Sequence, residues 1–265
     1  MRKLMLLKSF ILTVIFVLGA SCVLFSQTAE SDLRRDVDEL KHEVQLLQND
    51  LSELKTILLK LATLLQPQPQ QPQPQQVDIR GRVFDIGDNP VAGSESAKLI
   101  MVEFSDYQCP YCGRFTRETL PEIMKQYVDG GKIRYTVIDQ PLPMHPEAPK
   151  AAEAAHCAND QGKFWEMHNA LMANQDNLKD LSSYAKSLNL NIVEYESCLN
   201  TEKYKDAVNK NISLAGDLGI DGVPGFILAS VDAKDPRRVT GITTIVGAMP
   251  FVNSRQKLDV ALEKQ

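Results

Sequence analysis

The sequence predicts an α/β domain over residues 77–265, which follows a separate N-terminal helix and a linker. An apolar run with β-branched character, Lys98 to Phe104, is typical of a buried strand, and Phe115 to Tyr127 shows helical spacing directly after it. Most of the chain that follows is also patterned as helix. These further segments are Ala148–Ala173, Asp180–Leu188, Val193–Leu199 and Glu202–Leu218.

The composition excludes some classes of function. Lys and Arg number 29 against 34 Asp and Glu, which gives a net charge of −5 and no basic stripe of the kind that nucleic-acid binding needs. Hydrophobic residues make up 43% of the chain, enough for a sizeable core. Five cysteines are too few for a disulfide-stapled miniprotein, so individual cysteines are expected to have individual roles.

The first element, residues 1–26, is predicted to be an export segment. Three positively charged residues precede an uncharged run from Phe10 to Phe25, which is the pattern of a signal peptide or a membrane anchor. Cleavage after Leu18–Ala20, lipid attachment at Cys22 and an uncleaved anchor all stay open. Each alternative places the rest of the chain outside the cytoplasm, in the periplasm or cell envelope.

The second element, residues 31–65, is predicted to be a coiled-coil helix. Its apolar residues recur alternately four and three positions apart, with Leu at every d position. They are Leu33, Val37, Leu40, Val44, Leu47, Leu51, Leu54, Leu58, Leu61 and Leu65. In parallel strands, Asp36 would face Lys41 and Asp50 would face Lys55 of a neighbouring chain. The alternative is a single amphipathic helix that packs on its own domain.

The third element, Gln66–Gln76, is a linker with the sequence QPQPQQPQPQQ. Alternating proline favours an extended, semi-rigid spacer of roughly 30 Å, at about 3.1 Å per residue. Because such a spacer separates the helix from the domain, the helix is expected to bury its seam against copies of itself. Val at a positions favours a dimer and apolar Ile57 and Leu64 at g positions favour a trimer, so the homo-oligomer's size stays open.

The candidate chemistry lies in Cys109-Pro110-Tyr111-Cys112, at the point where the predicted strand gives way to a helix. Unpaired N–H groups at a helix N-terminus stabilise a thiolate at Cys109, and Pro110 suits the first helical position. Cys112 lies on the same face, within disulfide reach. An exposed, low-pKa thiol with a resolving partner suits thiol–disulfide exchange. Half of a zinc site and a purely structural local disulfide are the weaker alternatives, and no metal is expected.

The domain resembles the thioredoxin superfamily and, within it, the DsbA-like thiol–disulfide oxidoreductases of bacterial envelopes. The resemblance covers residues 77–265 and rests on CPYC, on Glu103 six residues before the first cysteine, and on Gly222-Val223-Pro224, which is similar to the family's cis-proline loop. The segments VEFSDYQCPYC and AAEAAHCANDQGKFWEMHNAL add to it. The resemblance implies a thioredoxin fold with a helical insertion at about residues 145–219, which disfavours a glutaredoxin.

The same resemblance implies the elements that close the fold. Gly225–Ser230 and Thr243–Val246 would form the closing hairpin, and Pro250–Lys264 the last helix. The hairpin loop, Val231–Gly241, is longer than typical, and Gly225 is unusual directly after the proline.

Roles for the cysteines and the proline loop follow from the resemblance. Cys109 would form the mixed disulfide with a substrate and Cys112 would resolve it. A cis bond before Pro224 would hold the Val223 main chain beside Cys109, where an extended substrate peptide could pair with it. Pro110 and Tyr111 would complete the substrate-binding surface.

Glu103 would relay protons to Cys112, with a pKa raised by burial. A strand residue that faces water is the alternative. Cys157 and Cys198, each on a predicted helix of the insertion, are expected to form a structural disulfide, with two buried free thiols as the alternative. His145, His156 and His168 are expected to pack or cap.

The resemblance implies an enzyme whose only redox group is the Cys109–Cys112 disulfide, with no further cofactor. Its partners would be exported proteins with cysteines and a membrane redox partner that re-oxidises or reduces it. Oxidase, isomerase and reductase all stay open. A non-enzymatic envelope scaffold or holdase, whose coiled coil carries the function, is the alternative of a different class.

Overall fold

The computed structural model describes residues 34–58, 60 and 77–263, and the chain divides into two units, Met1–Gln71 and Pro72–Gln265. The predicted export segment, both ends of the predicted coiled coil and the Gln66–Gln76 linker lie outside the described residues. Among the residues that are described, no helix combines the length and the apolar character that crossing a membrane requires.

In the first unit, residues 34–58 form one helix, α1. Every described side chain of α1 is exposed, including the predicted seam, whose residues range from 41% exposed at Val37 to 69% at Leu51. The apolar residues of α1 thus form an exposed stripe along one face of an amphipathic helix.

The second unit is built on one six-stranded sheet with the order β1-β6-β5-β3-β4-β2. Its strands are β1 (Val83–Asp85), β2 (Val91–Ala92), β3 (Leu99–Ser105), β4 (Ile133–Asp139), β5 (Gly225–Val231) and β6 (Arg238–Val246). β3 runs parallel to β4, and the other neighbouring strands are antiparallel. Every residue of β3 is buried, because helices cover both faces of the sheet at this point, which explains its unbroken apolar run.

The strand β4 was not among the predicted elements. Its sequence, IRYTVID, interleaves polar with apolar residues although all seven are buried. The polar members have partners outside the strand: Arg134 Nε donates to the Ala97 carbonyl at 3.1 Å, and Thr136 Oγ1 donates to the Pro90 carbonyl at 2.9 Å. Because polar residues can be buried when they are paired, this strand lacks the continuous apolar run by which a buried strand is predicted from sequence.

The described part of the second unit has eight helices, α2 to α9, which lie between and after the strands along the chain. In the described part of this unit, two precede β4: α2 (Pro110–Glu118) and α3 (Leu120–Ile123), which continues into a π-helical turn, Met124–Val128. The insertion between β4 and β5 holds α4 (Ala148–Asn159), α5 (Phe164–Ala173), the 3₁₀ turn Gln175–Asn177, α6 (Leu181–Ser187), α7 (Ile192–Asn200) and α8 (Lys205–Leu218). The last helix is α9 (Phe251–Leu262).

Two predicted helical segments are interrupted. Phe115–Tyr127 breaks at Thr119 because Pro121, which lacks an N–H, lies in the first turn of α3. Ala148–Ala173 is two helices, α4 and α5, separated by a turn in which Gly162 has a φ of 70°. Such a left-handed conformation is easily adopted by glycine, so the turn ends one helix and starts the next.

Alternate residues of β3 face two different apolar cores, as the twofold period of a strand requires. Leu99 and Met101 pack on one face with Phe115 and Leu258, from α2 and α9. Ile100 and Val102 pack on the other face with residues of α8, and a third core fills the interior of the insertion. This arrangement confirms the expected thioredoxin fold with a helical insertion.

The closing hairpin corrects one expectation, because its loop is short. β6 begins at Arg238, so the turn covers only residues 232–237 rather than Val231–Gly241. Gly241 lies inside β6, where glycine leaves room for a close approach of the Ile79 backbone: a Cβ on Gly241 would lie 2.4 Å from the Ile79 carbonyl oxygen. Glycine is required at position 225 for a similar reason, because an added Cβ would lie 2.7 Å from Ile220 Cγ2 and 2.9 Å from the Gly222 carbonyl oxygen.

Cys157 on α4 and Cys198 on α7 form a disulfide, with an S–S distance of 2.05 Å and a sequence separation of 41. Both cysteines are buried in the core of the insertion. The bond therefore joins two helices of the insertion across a long loop of the chain, which restricts the unfolded state.

We expect the Cys157→Ala/Cys198→Ala variant to lose about 3–4 kcal/mol of unfolding free energy, since that is what closing a loop of this length contributes. Urea unfolding of the variant and the parent chain, both oxidised, measures the difference.

The bond itself is checked in the Cys109→Ser/Cys112→Ser variant. Alkylation under denaturing conditions, followed by peptide mass analysis, should leave Cys157 and Cys198 unlabelled. Two labels on this pair would contradict the assignment.

Candidate active site

The strand β3 leads directly to the site, because only the four residues 106–109 separate its last residue, Ser105, from the start of α2 at Pro110. Cys109 is the N-cap residue of α2, and Pro110 occupies the first turn. The Cys109 N–H donates to the Asp106 carbonyl at 3.1 Å, and the Cys109 carbonyl accepts from the Gly113 N–H at 3.1 Å. These bonds fix the first cysteine at the start of the helix, where N–H groups have no intrahelical acceptor.

Cys109 is less accessible than the sequence suggested. The residue is only 4% exposed, and its sulfur lies 3.7 Å from the Val223 carbonyl oxygen. The expectation of an exposed thiol is wrong, because the loop before β5 approaches the sulfur directly. Cys112 is completely buried, and neither thiol is part of a disulfide in this structure.

The two thiols have opposite pKa shifts. The Cys112 thiol donates a hydrogen bond to the Cys109 sulfur and, with the backbone N–H groups of Cys112 and Tyr111, lowers the pKa of Cys109 to about 6, although burial and the Asp106 carboxylate oppose this. Burial raises the pKa of Cys112 far above its ordinary range, and its bond to Cys109 and the charge of Glu103 act in the same direction. One thiol is therefore a thiolate at neutral pH and the other stays protonated.

Glu103 lies in the middle of β3 and is completely buried, so the alternative of a water-facing strand residue is wrong. Ser105 Oγ donates to Glu103 Oε1 at 2.7 Å, and the Tyr135 hydroxyl donates to Oε2. Burial raises the pKa of Glu103 to about 7, against these two hydrogen bonds, which lower it. Its proton is thus exchangeable near neutral pH, close to the thiol whose pKa it raises.

The predicted substrate-facing residues lie around Cys109. The Val223–Pro224 peptide bond is cis, Pro224 is buried and Val223 is half-buried beside the Cys109 sulfur. Pro110 and Tyr111 are exposed, and the Arg114 guanidinium lies 5.2 Å from the centre of the Tyr111 ring. A polypeptide could therefore reach the sulfur along a surface that these residues border.

Two polar residues of the loop before Cys109 were not predicted to belong to the site. The buried Asp106 carboxylate accepts from the backbone N–H groups of Gln108 and Leu142 and from His145 Nδ1, each at 2.7 Å. The Gln108 side-chain oxygen accepts from the N–H groups of Glu147 and Ala148 at the start of α4. Both residues stand next to the CPYC motif in sequence, which is the signal that could have found them.

The other two histidines of the domain pack, as expected. His168 Nδ1 lies 3.1 Å from the Tyr107 hydroxyl, and burial lowers the pKa of His168 to about 4. His156 Nε2 lies 2.8 Å from Asp139 Oδ2; burial disfavours its charged form, but that carboxylate raises the pKa of His156 overall. Within the described residues, no group of three or more His, Cys, Asp or Glu side chains is arranged to bind a metal ion.

The chemistry available to this site is two-electron exchange between sulfurs. A thiolate near the surface can attack or leave a disulfide, and a protonated thiol one helical turn away can close a ring with it after losing its proton. A buried carboxyl group with a pKa near neutrality is suited to take that proton.

Comparisons with known proteins agree with this geometry. A family model described as Thioredoxin matches residues 86–248. The Na⁺/H⁺ antiporter NhaA 3 of Salinispora tropica is 33% identical over 159 residues, which are 59% of this chain and 24% of the antiporter. The chain thus spans about a quarter of the length of the curated antiporters it matches. RC0029 of Rickettsia conorii, named as a candidate protein-disulfide oxidoreductase, is 26% identical over 68% of this chain and 67% of its own.

Solved structures extend the comparison to the fold. Wolbachia pipientis α-DsbA1 superposes with a TM-score of 0.60 at 26% identity, over 68% of this chain and 94% of that one. BdbD from Bacillus subtilis, in its oxidised form, gives 0.57 at 22% identity, over 70% and 98%. Since the family model covers more than half of the chain, the protein belongs to the thioredoxin family, with a DsbA-like arrangement of its domain.

Proposed function

We propose that the protein is an envelope protein thiol–disulfide oxidoreductase that forms or reshuffles disulfides in exported proteins through Cys109 and Cys112. The observation that carries this proposal is the difference between the positions of the two thiols: Cys109 is the N-cap residue of α2, beside N–H groups that lower its pKa, whereas Cys112 is completely buried, which raises its pKa. A structural disulfide or a metal site has no need of that difference.

In the oxidised enzyme, a substrate thiolate attacks the Cys109 sulfur and the Cys109–Cys112 bond breaks. Cys112 leaves with the electron pair and takes a proton, which Glu103 is placed to supply. A second substrate thiolate then attacks the substrate sulfur of the mixed disulfide, and Cys109 leaves as a thiolate. The substrate is oxidised by two electrons and the enzyme is reduced by two. A low-pKa leaving group favours this last step.

The substrate in this proposal is an extended polypeptide with a cysteine. The Val223 main chain lies beside the Cys109 sulfur and can pair with such a segment, while Pro224 lacks an N–H group. Exposed Pro110 and Tyr111 border the other side of the sulfur. Recognition through the main chain would accept many substrate sequences, which suits an enzyme that acts on exported proteins in general.

The cellular location proposed here is the periplasm or cell envelope. The predicted export segment and the Cys157–Cys198 disulfide support it, because structural disulfides persist in oxidising compartments. A membrane redox partner would return the Cys109–Cys112 pair to its working state. No cofactor beyond this pair is required by the exchange chemistry.

We propose further that α1 joins copies of the chain. Its exposed seam, Val37 to Leu58, carries the heptad pattern expected of a coiled coil. Several active sites held around one client favour isomerisation, because a second thiolate is near when the first mixed disulfide forms. The same seam would also support a scaffold or holdase, and the opposite thiol pKa shifts favour the enzyme over that alternative.

Alkylation of the reduced chain at mildly acid pH should label Cys109 and spare Cys112, because only the thiolate is nucleophilic. Peptide mass analysis identifies the labelled residue. With a peptide disulfide as substrate, the Cys112→Ser variant should accumulate a mixed disulfide at Cys109, and the matched Cys109→Ser variant should not. Preferential labelling of Cys112 would overturn the assignment of roles.

Glu103 should destabilise the folded domain at neutral and alkaline pH. Its folded pKa is about 7, above the ordinary 4.5, so its favourable contribution is complete below about pH 4.5 and is lost as pH rises through 7. Relative to Glu103→Gln, the parent should therefore lose about 3 kcal/mol of unfolding free energy over this window, at about 1.4 kcal/mol per pKa unit.

Urea unfolding in a Cys109→Ser/Cys112→Ser background measures this difference without interference from the two thiols. Glu118→Gln, at an exposed position of α2, is the matched control and should show no such trend. A parallel pH dependence for the parent and Glu103→Gln would show that Glu103 has an ordinary pKa.

The seam of α1 should set both the oligomeric state and the kind of catalysis. Leu47→Glu/Leu51→Glu places charge in the seam and should give monomers that still reduce insulin but lose most of their ability to refold scrambled ribonuclease. Gln45→Glu, away from the seam, should change neither property. Light scattering and the two assays measure the effects. If the monomeric variant refolds ribonuclease as well as the parent, the isomerase proposal falls behind a simple oxidase.

A further inference from the structure

The 3₁₀ turn after α5 places one side chain of the insertion against the backbone of the active-site loop. Gln175 is half-buried, whereas its neighbours Asn174 and Asp176 are exposed. Its Nε2 donates to the carbonyl oxygens of Tyr107 and Cys109, each at 2.9 Å. A single amide group from a residue distant in sequence thus holds the chain on both sides of Gln108.

The rest of the surroundings fit the Gln175 side chain closely. A Cβ on Gly113, the residue after Cys112, would lie 2.3 Å from Gln175 Oε1 and 2.8 Å from its Cδ. Glycine at that position of α2 therefore leaves the space that the amide occupies. One turn further along, Arg117 Nη1 donates to the Met172 carbonyl at 2.8 Å and holds the end of α5 against α2.

We propose that Gln175 is a positioning residue of the active site, which holds the carbonyl groups of Tyr107 and Cys109 and so sets the direction of the Cys109 sulfur. The importance of Gln175 for catalysis rests on the proposed exchange function, whereas its hydrogen bonds are independent of that function. Gln175 acts through the backbone and does not touch a reacting atom in the contacts described above.

Gln175 restrains the backbone of Cys109. As the N-cap residue, Cys109 has a φ of −75° and a ψ of 117°, and its carbonyl oxygen accepts from both Gly113 N–H and Gln175 Nε2. With that carbonyl fixed, the sulfur faces the start of α2, where the N–H groups of Tyr111 and Cys112 stabilise its negative charge. The N–H groups of the amide also offset the partial negative charge of two buried carbonyl oxygens, which would otherwise disfavour an anion nearby.

The test is the pH profile of Cys109 alkylation in the reduced full chain, followed residue by residue with peptide mass analysis. Gln175→Ala should slow labelling of Cys109 about two- to tenfold at mildly acid pH, the effect of one lost hydrogen bond, and leave the rate at alkaline pH unchanged. Gln175→Glu keeps the size of the side chain but removes the donor and adds a negative charge, so it should slow labelling at least as much.

The matched control is Gln161→Ala. Gln161 is a glutamine of the same insertion whose side chain also binds backbone, but at Asn191. Its profile should equal that of the parent. Gly113→Ala, whose Cβ would displace Gln175 and would also lie 2.8 Å from Arg117 Nη1, should shift the profile in the same direction as Gln175→Ala and serves if Gln175→Ala does not fold.

The inference is overturned if Gln175→Ala and Gln175→Glu fold and give the same profile as Gln161→Ala. It is also overturned if the variants lower only the rate of Cys109 alkylation at alkaline pH, because that change would reflect altered access to the sulfur. Insulin reduction by the parent chain is measured separately. A parent without exchange activity would contradict the proposed function, while the alkylation profiles would still decide the role of Gln175.

Discussion

The hydrogen bond from the Cys112 thiol to the Cys109 sulfur is the interaction on which the chemistry of this domain depends. It can stabilise charge on only one of the two sulfurs, and burial of Cys112 decides which one. The rest of the site maintains this difference between the pKa values of the two thiols. The start of α2 supplies N–H groups to the first sulfur, while β3 keeps Glu103 beside the second. A pair of equally exposed cysteines with the same spacing would have no such preference.

The fold maintains this difference in pKa through contacts between residues that are far apart in sequence. The parallel pair β3 and β4 buries the acid and its partner Tyr135, and β5 begins directly after the cis-proline loop that covers the first sulfur. The insertion holds the active-site loop from the other side, through Asp106, Gln108 and Gln175. The disulfide between α4 and α7 then joins two of the helices that surround this region. Thus the insertion supports the backbone of the active-site loop.

The sequence predicts those parts of the molecule that have local patterns. The strand before Cys109, the helix that begins at Pro110 and the helical insertion each leave a periodic or motif signature, and so does α1. The strand β4 does not, because its buried polar residues are paired with groups elsewhere in the fold. The contacts of Asp106 with His145 and of Gln175 with Cys109 join residues 39 and 66 positions apart, and no local pattern records them. The low exposure of Cys109 has the same origin, since its cover comes from Val223.

The difference between the two thiols is tested most directly by a pH titration of the thiolate absorbance of the reduced chain, in a Cys22→Ser background, against the matched Cys109→Ser variant. We expect one thiolate that forms with a midpoint near pH 6 and is absent from the Cys109→Ser variant, and no ionisation of Cys112 in the range where the protein stays folded. A midpoint near the ordinary cysteine value of about 8.5 would contradict this expectation, as would two thiols that ionise together.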